Sequence, residues 1–414
     1  MKNTEWFIAK RLSFDKNESR LTRLMSRISM ISVALSMTVM IVAVAMLTGF
    51  KSKLQEKISG FNAHLRISNY DANQSFEGTP IRNDYPFIDT LRKLPHVKHI
   101  QQYALKGGII RTDDEIQGVI LKGIGTDFDW SFFKQYMIEG DSFQLSDTAN
   151  SNQSLISRSI SKLLKLNTGD SFEVYFAENP VRVRKFTVSG IYDTYFEDMD
   201  KVFVLCDIRH IRRLNRWENN QITGIEIMAD RLNRMDEVYS EIENLVAYRT
   251  FADGSRLDIT SIRDAFPQLF NWLAIQDINV LIILIIMLVV AGFNMISGLL
   301  IMLLEKISMI GTLKALGMRS SAIMKIFVYR SSLIVLRGLL AGILVGVSLC
   351  LLQQKFSLIQ LDQSIYYFAA APVELNFWRL ALLALCSFVL ISALQIIPSM
   401  IITRISPDKS MKME

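Results

Sequence analysis

The feature that constrains this chain most is an apolar run of 27 residues, from Ile278 to Leu304, that ends directly on a charged segment. At about 1.5 Å per residue, a helix of this length reaches roughly 40 Å, which is enough to cross the ~30 Å hydrocarbon core of a bilayer. The segment that follows, 305–317, is short, charged and contains glycines at positions 311 and 317. We therefore expect a membrane protein in which this crossing leads into a short surface helix.

Three further apolar stretches are long enough to span a membrane. Half of the residues are hydrophobic and 21% are charged, so the chain must separate apolar segments from a large water-soluble part. The predicted order is an interfacial segment at 1–27, a span at 28–50, a soluble domain with a stalk helix at each end at 51–277, a span at 278–304, a loop at 305–325, a span at 326–352, a loop at 353–377, a span at 378–402 and a tail at 403–414.

Lysine and arginine counts predict the orientation, because short cytoplasmic loops carry an excess of positive charge. Residues 1–27 contain seven basic and three acidic residues, and the 305–325 loop contains four and one. The 51–277 segment contains 28 basic and 32 acidic residues, so the net charge of +6 arises elsewhere. Both termini and the 305–325 loop are therefore expected in the cytoplasm, with 51–277 exported. The basic pI reports this topology, and we predict no nucleic-acid binding.

The exported segment is predicted to be an α+β domain, because the pattern shows runs of strands with segregated helices. Thr260 is expected to cap the second stalk helix, and Asp230 is expected to cap an amphipathic helix that ends near Val246. A lone exported Cys206 forms no intramolecular disulfide. The other predicted helices lie at 86–94 and 157–166, and the predicted strands at 100–111, 115–123, 171–176, 181–191, 201–205 and 221–228, with a turn at 112–114.

The chain lacks the residues of a catalytic or nucleotide-binding centre. It contains no G-x-x-x-x-G-K-[ST] sequence, so ATP and magnesium are expected to bind to a separate subunit. His96 and His99 form a single H-x-x-H with no third ligand nearby in the sequence, which favours ordinary loop histidines over a metal site. We therefore predict a non-catalytic protein with no cofactor or metal of its own.

Small and polar residues recur within the predicted spans. Gly338, Gly342 and Gly346 share one face of the third span, a stripe that lets another helix approach closely. Asn294 and Gly298 share one face of the second span. Two readings remain open for these faces: packing within the helix bundle, or a direct role in a moving interface.

Basic and aromatic residues are expected at the cytoplasmic membrane surface. Trp6 and Phe7, with interleaved basic residues, predict a short interfacial helix before the first span. Arg330 is expected at the interface. Arg337 lies deeper in the third span, where it either extends to the headgroups or pairs within the bundle.

The segment after the second span resembles the "E-K/R-x-x-E-I-G-I-L-K/R-A-L-G" sequence of permeases in the FtsX-like, or type VII, ABC superfamily. In that family it forms a coupling helix that docks into a groove of the ATPase. The resemblance implies that apolar residues of this segment fill the groove while its lysines pair with acids at the rim. Met309 departs from the family, which usually has an acid there. The implied coupling residues are Glu305, Lys306, Ile310, Gly311, Leu313, Lys314, Leu316 and Gly317.

The first stalk and the second span narrow the resemblance to lipoprotein-releasing permeases. The stalk is similar to their "N-G-F-x-x-x-L-x-x-x-I-x-G-x-N-A-H" pattern, and residues 291–294 resemble their "A-x-F-N". Further matches lie at 118–123, 166–170 and 188–192, so the resemblance covers nearly the whole chain. The stalk residues that carry it are Leu47, Gly49, Phe50, Leu54, Ile58, Gly60, Asn62, Ala63 and His64.

The resemblance implies a permease subunit of the bacterial inner membrane that works with a cytoplasmic ABC ATPase and a second permease protomer, as a homo- or heterodimer. The implied substrate is a lipid-modified protein, which passes between the first and second spans of two protomers to a periplasmic carrier. The residues implied in this route and in packing of the spans are Phe50, Phe293, Asn294, Gly298, Gly338, Gly342 and Gly346.

The chain departs from the family where one permease carries an extended hairpin that captures the carrier. Here the corresponding connection is short, so either the carrier docks differently or this protomer does not bind it. The residues of the connection, which remain the candidate carrier-docking hairpin, are Ala177, Glu178, Asn179, Pro180 and Val181.

Two other functions remain open. Cell-division members of the same superfamily transmit ATPase motion to periplasmic partners and move no cargo, but usually have a smaller exported domain and lack the G-x-N-A-H stalk. Efflux permeases for peptides or small molecules often carry a fused ATPase, which is absent here. Because a fold does not fix the cargo, the sequence ranks these functions without excluding them.

Overall fold

The computed structural model describes residues 4–13, 20–70, 78–112, 115–146, 150–247, 249–251, 253–362 and 366–404. The predicted turn at Asp113 and Asp114 and most of the predicted C-terminal tail lie outside these residues. The chain divides into two compact units. The helical unit comprises 1–52, 272–360 and 370–414, and the sheet unit comprises 53–271 and 361–369.

Helices account for most of the described N- and C-terminal parts of the chain. Among them, α2, α10, α12 and the segment Phe377–Ser399, which comprises α13 and α14, are long and apolar enough to cross a membrane, as predicted. The helices are α1 Thr4–Ser13, α2 Arg20–Asn62, α3 Phe87–Leu91, α4 Ser131–Gln135, α5 Arg158–Leu164, α6 Glu197–Asp200, α7 Ile208–Asn215, α8 Met235–Val246, α9 Ile262–Ala265, α10 Pro267–Glu305, α11 Ile307–Ala315, α12 Ser320–Phe356, α13 Phe377–Leu394, α14 Ile396–Ser399 and α15 Ile401–Arg404.

Strands form the core of the sheet unit. The strands are β1 Leu65–Asn69, β2 Ile81–Arg82, β3 Val97–Arg111, β4 Ile116–Ile124, β5 Met137–Gly140, β6 Gln153–Ser157, β7 Ser171–Phe176, β8 Arg182–Tyr192, β9 Phe203–Asp207, β10 Gln221–Ile222, β11 Gly224–Ala229 and β12 Leu257–Ser261. The main sheet has the order β12-β1-β11-β3-β4-β9-β6-β8-β5, and β7 pairs with both β3 and β8. Strands β10 and β2 form a separate pair.

Most pairs in the main sheet are antiparallel, but two are parallel. β3 pairs with β4 over nine residues in antiparallel register, from Tyr103 opposite Ile124 to Arg111 opposite Ile116. β4 pairs with β9, and β6 with β8, in parallel. Together with the surrounding helices, this mixed sheet confirms the predicted class of four transmembrane helices and an α+β domain.

Two predicted helix caps are wrong. The cap before the second stalk is Ser261, whose Oγ accepts from the backbone N of Asp264 while the Asp264 carboxylate accepts from the backbone N of Ser261. Thr260 instead lies within β12. A 3-10 turn at Leu232–Arg234 separates Asp230 from α8, so Asp230 does not cap that helix.

The glycine stripe of α12 packs against α2 inside the helical unit. A Cβ at Gly338 would lie 2.9 Å from the Met30 carbonyl oxygen, and one at Gly342 would lie 2.5 Å from that of Ala34. Thr38 Oγ1 also donates to the Gly342 carbonyl at 3.1 Å. The stripe therefore packs against another helix of the same chain.

Arginines of α12 occupy different environments. Arg330 is buried within the helical unit, and its position at the membrane interface stays a prediction. The side chain of Arg337 is exposed. Near the N-terminus, the α1 residue Trp6 packs edge-on against Tyr329 of α12, with ring centroids 5.9 Å apart.

Candidate functional site

The predicted coupling segment forms an elbow between two membrane-spanning helices, made of the end of α10, the short helix α11 and the turn before α12. Gly317 has a φ of +87°, in the region that favours glycine, and terminates the segment. Leu316 is 79% exposed. One buried carboxylate oxygen of Glu305 has no hydrogen-bond partner in the described part of the chain. The elbow thus has an exposed apolar side chain and a buried carboxylate oxygen without a hydrogen-bond partner among the described residues.

The elbow does not present all of its predicted docking residues. Ile310 is fully buried in the apolar core of the helical unit, with Ile323 and Phe327, so it cannot fill a groove on another protein. Leu313 is half-buried against the same core. Lys314 donates to the Ile402 carbonyl at 2.7 Å rather than extending as a free rim cation.

The structure also shows how far the remaining predicted elbow residues are buried. Gly311 is buried in α11. Lys306 is half-buried at the start of α11. Of the residues predicted to dock, Leu316 is therefore the one whose side chain is largely free to contact a partner.

α2 and α10 contact each other at two places along α10. In the second half of the apolar run, Asn294 Nδ2 donates to Ser32 Oγ at 2.5 Å. Just before the run begins, Asp277 forms a 2.7 Å ion pair with Lys51. Close to that pair, the rings of Phe50 and Trp272 pack edge-on, with centroids 5.3 Å apart.

Between these two contacts, the surface of α10 is uncovered. All of residues 274–290 are described, and none of them is buried. Phe293, which the resemblance implicates in the substrate route, is 66% exposed. Gly298 faces Ser29 of α2 instead. This part of α10 is therefore a largely apolar face available to lipid, to a second protein or to acyl chains.

The C-terminal end of α2 is held in the sheet unit by an aromatic cluster around Phe61. The Phe61 ring lies 5.4 Å from that of Phe133 and 6.1 Å from those of Tyr192 and Phe203, measured between centroids. A Cβ at Gly60 would overlap the ring of Phe132. This contact explains the glycine of the G-x-N-A-H pattern: only glycine lets α2 approach the cluster.

A buried charge network completes this attachment. Lys122 Nζ donates to the Phe61 carbonyl at 2.5 Å and to Glu226 Oε1 at 2.7 Å. Arg66 Nε donates to the Asn62 carbonyl at 3.1 Å. Two cations thus satisfy carbonyls at the helix C-terminus, where positive charge is favourable. Burial alone would raise the pKa of Glu226, but Lys122 and Arg66 hold it below its ordinary value.

The last residues of the pattern form the turn out of α2. Ala63 has a φ of +54°. His64 Nδ1 accepts from the backbone N of Ala229 at 3.2 Å, so this nitrogen is unprotonated. Burial lowers the pKa of His64 to about 4, with a smaller contribution from Lys98. The turn is therefore built around a neutral imidazole.

The candidate carrier-docking connection is a compact link between β7 and β8. The two strands pair in antiparallel register up to Phe176 opposite Arg182. Glu178 forms 3.0 Å ion pairs with both Lys106 and Arg182, which fixes the link against the sheet. Val181 is exposed. The connection is thus a short, well-anchored turn, as its length predicted.

The two histidines of the H-x-x-H have different partners. His96 Nδ1 lies 3.2 Å from Asp230, whereas His99 Nε2 lies 2.7 Å from the Asp127 carbonyl. His99 lies within β3, not in a loop. Among the described residues, no group of three His, Cys, Asp or Glu side chains could hold a metal ion.

Four membrane-spanning helices, an α+β domain inserted after the first and a short helix after the second define a permease-like membrane protein. Comparison with known families agrees with this class. Residues 26–245 match the family described as MacB-like periplasmic core domain, and residues 281–407 match the FtsX-like permease C-terminal family. Because the first match covers more than half of the chain, the chain belongs to this family of permeases, which confirms the predicted resemblance.

Individual relatives align with nearly the whole chain. It is similar to the lipoprotein-releasing system transmembrane protein LolC of Xylella fastidiosa, with 21% identity over 94% of each chain. It is also similar to LolE of Haemophilus influenzae, with 22% identity over 84% of this chain and 83% of the relative. Among solved structures, the periplasmic region of MacB from Actinobacillus actinomycetemcomitans covers 51% of this chain and 94% of its own, with 14% identity and a TM-score of 0.33.

Proposed function

We propose that this chain is the permease subunit of an ABC transporter that releases lipid-modified proteins from the bacterial inner membrane. The observation that carries the proposal is that the LolC and LolE proteins align with both its periplasmic domain and its membrane helices. The uncovered apolar face of α10 supports it, because acyl chains require such a surface.

The energy required for this reaction explains the need for an ATPase. Three acyl chains of roughly 15 methylenes each, at ~0.8 kcal/mol per methylene, cost on the order of 36 kcal/mol to expose to water. Spontaneous release is therefore negligible. We infer an apolar route between α2 and α10, closed by a second permease protomer that is either identical or related.

ATP hydrolysis is supplied by a separate cytoplasmic subunit, which binds the nucleotide and magnesium. Leu316 enters a groove of that subunit. Both termini lie in the cytoplasm in this proposal. Because α2 and α10 each continue without interruption from the helical unit into the sheet unit, they carry the resulting motion across the membrane.

The released protein passes to a periplasmic carrier. The 177–181 connection is too short to extend around a carrier, so we propose that it contacts the carrier only as a flat surface, or that the second protomer supplies the main contact. The salt bridges of Glu178 keep this surface rigid.

Depleting the protein in cells tests the proposed function. Triacylated lipoproteins that are normally sorted to the outer membrane are expected to accumulate in the inner membrane, as measured by membrane fractionation and immunoblotting. Lipoproteins that normally stay in the inner membrane serve as the control. Unchanged sorting after complete depletion would contradict the proposal.

A further inference from the structure

The segment 366–376, which leads from the loop after α12 into α13, contacts α2 at two levels. The first level lies in the sheet unit. There, the Lys57 ammonium donates to the carbonyl of Tyr367 at 2.5 Å and to that of Thr194 at 2.5 Å. Lys57 is only 3% exposed. A lysine of α2 therefore holds this segment and the sheet domain at once.

Aromatic rings surround the Lys57 ammonium. It lies 4.6 Å from the centroid of the Phe368 ring and 5.3 Å from that of Tyr195. Such faces attract a cation, and the attraction is stronger when the cation is desolvated. The Tyr367 ring packs edge-on against Phe196, with centroids 5.0 Å apart. Tyr367 and Phe368 of the segment thus both pack against groups of the sheet unit.

The second level lies in the helical unit, where the backbone of the segment crosses α2 at Gly49. The backbone N of Glu374 donates to the Ala45 carbonyl at 3.0 Å. A Cβ at Gly49 would lie 2.7 Å from the Pro372 carbonyl oxygen and 2.8 Å from the Glu374 nitrogen. Any other residue would therefore push the segment away. Eight residues separate Gly49 from Lys57, which is about 12 Å along a helix.

We propose that the 366–376 segment is a strap that ties the third and fourth spans to α2, with Lys57 holding it and Gly49 admitting it. The connection makes α2 the common receiver of motion from the third and fourth spans. Lys57 is a positioning residue in this arrangement: it contacts no substrate and acts through the strap. The role in release rests on the proposed function, whereas the strap itself does not.

The strap resists detachment because its release would leave a buried ammonium with one carbonyl partner fewer. Carboxylates are near, since Asp200, Asp193 and Glu56 all act on Lys57 electrostatically. Among the described residues, the Lys57 ammonium donates to the two carbonyls and to none of these carboxylates. A buried cation that loses a hydrogen-bond partner carries a large desolvation penalty.

Hydrogen–deuterium exchange on the full chain in detergent tests the strap. Lys57→Met keeps the length of the side chain and removes its charge, so we expect amides of 366–371 to exchange about tenfold faster. Lys53→Met is the matched control, because Lys53 lies one turn earlier, is exposed and forms an ion pair with Glu56. Equal strap exchange in wild type and Lys57→Met would overturn the proposal.

If Lys57→Met fails to fold, amides across β3 and β4 will also exchange faster. A second pair of variants tests the strap in that case. Gly49→Val acts in the other unit and is expected to accelerate exchange at 370–374, whereas Gly118→Val, which meets no atom within 4 Å, is not. If Gly49→Val leaves the strap protected, the proposal is overturned.

An ATP-dependent release assay separates the strap from the proposed function. With the strap loosened, Lys57→Met is expected to slow release at least fivefold while the ATPase stays bound. Normal release by a variant whose strap exchanges rapidly would overturn the coupling role. Absence of release by wild type would contradict the proposed function alone, since the exchange experiment decides the strap independently.

Discussion

At the scale of single residues, the attachment of α2 to the sheet unit depends on charges that are buried in pairs. Lys122 and Glu226 are both almost fully buried, and each satisfies the other while Lys122 also holds the Phe61 carbonyl. In the sequence, Lys122 lies inside an apolar strand, and its partner is 104 residues away. Sequence patterns identify the strand but not this ion pair, because the order of the strands in the sheet decides which distant residues become neighbours.

Removing one member of this pair tests its importance. Lys122→Met leaves the Glu226 carboxylate buried without its main cation, so we expect a loss of about 3–5 kcal/mol in unfolding free energy. Chemical denaturation of the full chain measures it. Lys134→Met, at an exposed position of α4, is the control and is expected to change little. Combining Lys122→Met with Glu226→Gln is expected to restore part of the loss, and a double variant no more stable than Lys122→Met would contradict the account.

Protonation of His64 is expected to make the stability of the fold depend on pH. Its pKa is lowered to about 4 in the folded chain, so between pH ~6.5 and ~4 only the unfolded chain gains a proton. The stability that it contributes is present above that window and falls by ~3 kcal/mol as pH decreases through it. Asp200 acts in the opposite direction, because burial raises its pKa to about 7. The quantity to measure is therefore the difference in unfolding free energy between wild type and His64→Asn at each pH. The asparagine amide oxygen accepts the same hydrogen bond without titrating. Parallel stability curves for the two proteins would rule out this role.

At the scale of elements, regular periodicity predicted most helices and strands, and geometry explains what it missed. The predicted strand at 171–176 matches β7, whereas the short α7 and the edge strand β12 were not predicted. In the elbow, positions 310, 313 and 316 are three residues apart, and each step of three rotates the side chain by about 60° from the previous one. They therefore progress from fully buried through half-buried to exposed, instead of sharing one docking face.

The exposed position of Leu316 gives a test of ATPase docking at the elbow. Leu316→Asp places a charge on the most exposed apolar residue of the segment, so we expect it to reduce ATPase association at least tenfold without destabilising the helical unit. Co-purification of the ATPase measures the first effect and thermal unfolding the second. Leu316→Met is the control. Leu313→Asp is a poorer test, since Leu313 also packs against the core of its own chain. Normal ATPase association of Leu316→Asp would remove Leu316 from the interface.

At the scale of the whole molecule, hydropathy predicted the four spans and the inserted domain, because membrane thickness sets the length of apolar sequence that a spanning helix needs. The contacts that organise the parts could not be predicted in the same way. Lys57 and Tyr367 are 310 residues apart, and neither stands out in its local pattern. Even the G-x-N-A-H pattern acquires a physical meaning only when Gly60 is seen against Phe132.

In the proposed function, motion enters at the elbow on the cytoplasmic side and is used in the sheet unit on the other side. Single-cysteine labelling tests it most directly, with Leu316→Cys in the elbow and Val181→Cys in the β7–β8 connection, both at exposed positions. Native Cys386 is exposed and is first replaced by serine, whereas Cys206 and Cys350 are buried. In intact spheroplasts, a membrane-impermeant maleimide is expected to label Val181→Cys at once and Leu316→Cys only after permeabilisation. Labelling of Leu316→Cys in intact spheroplasts would contradict the account.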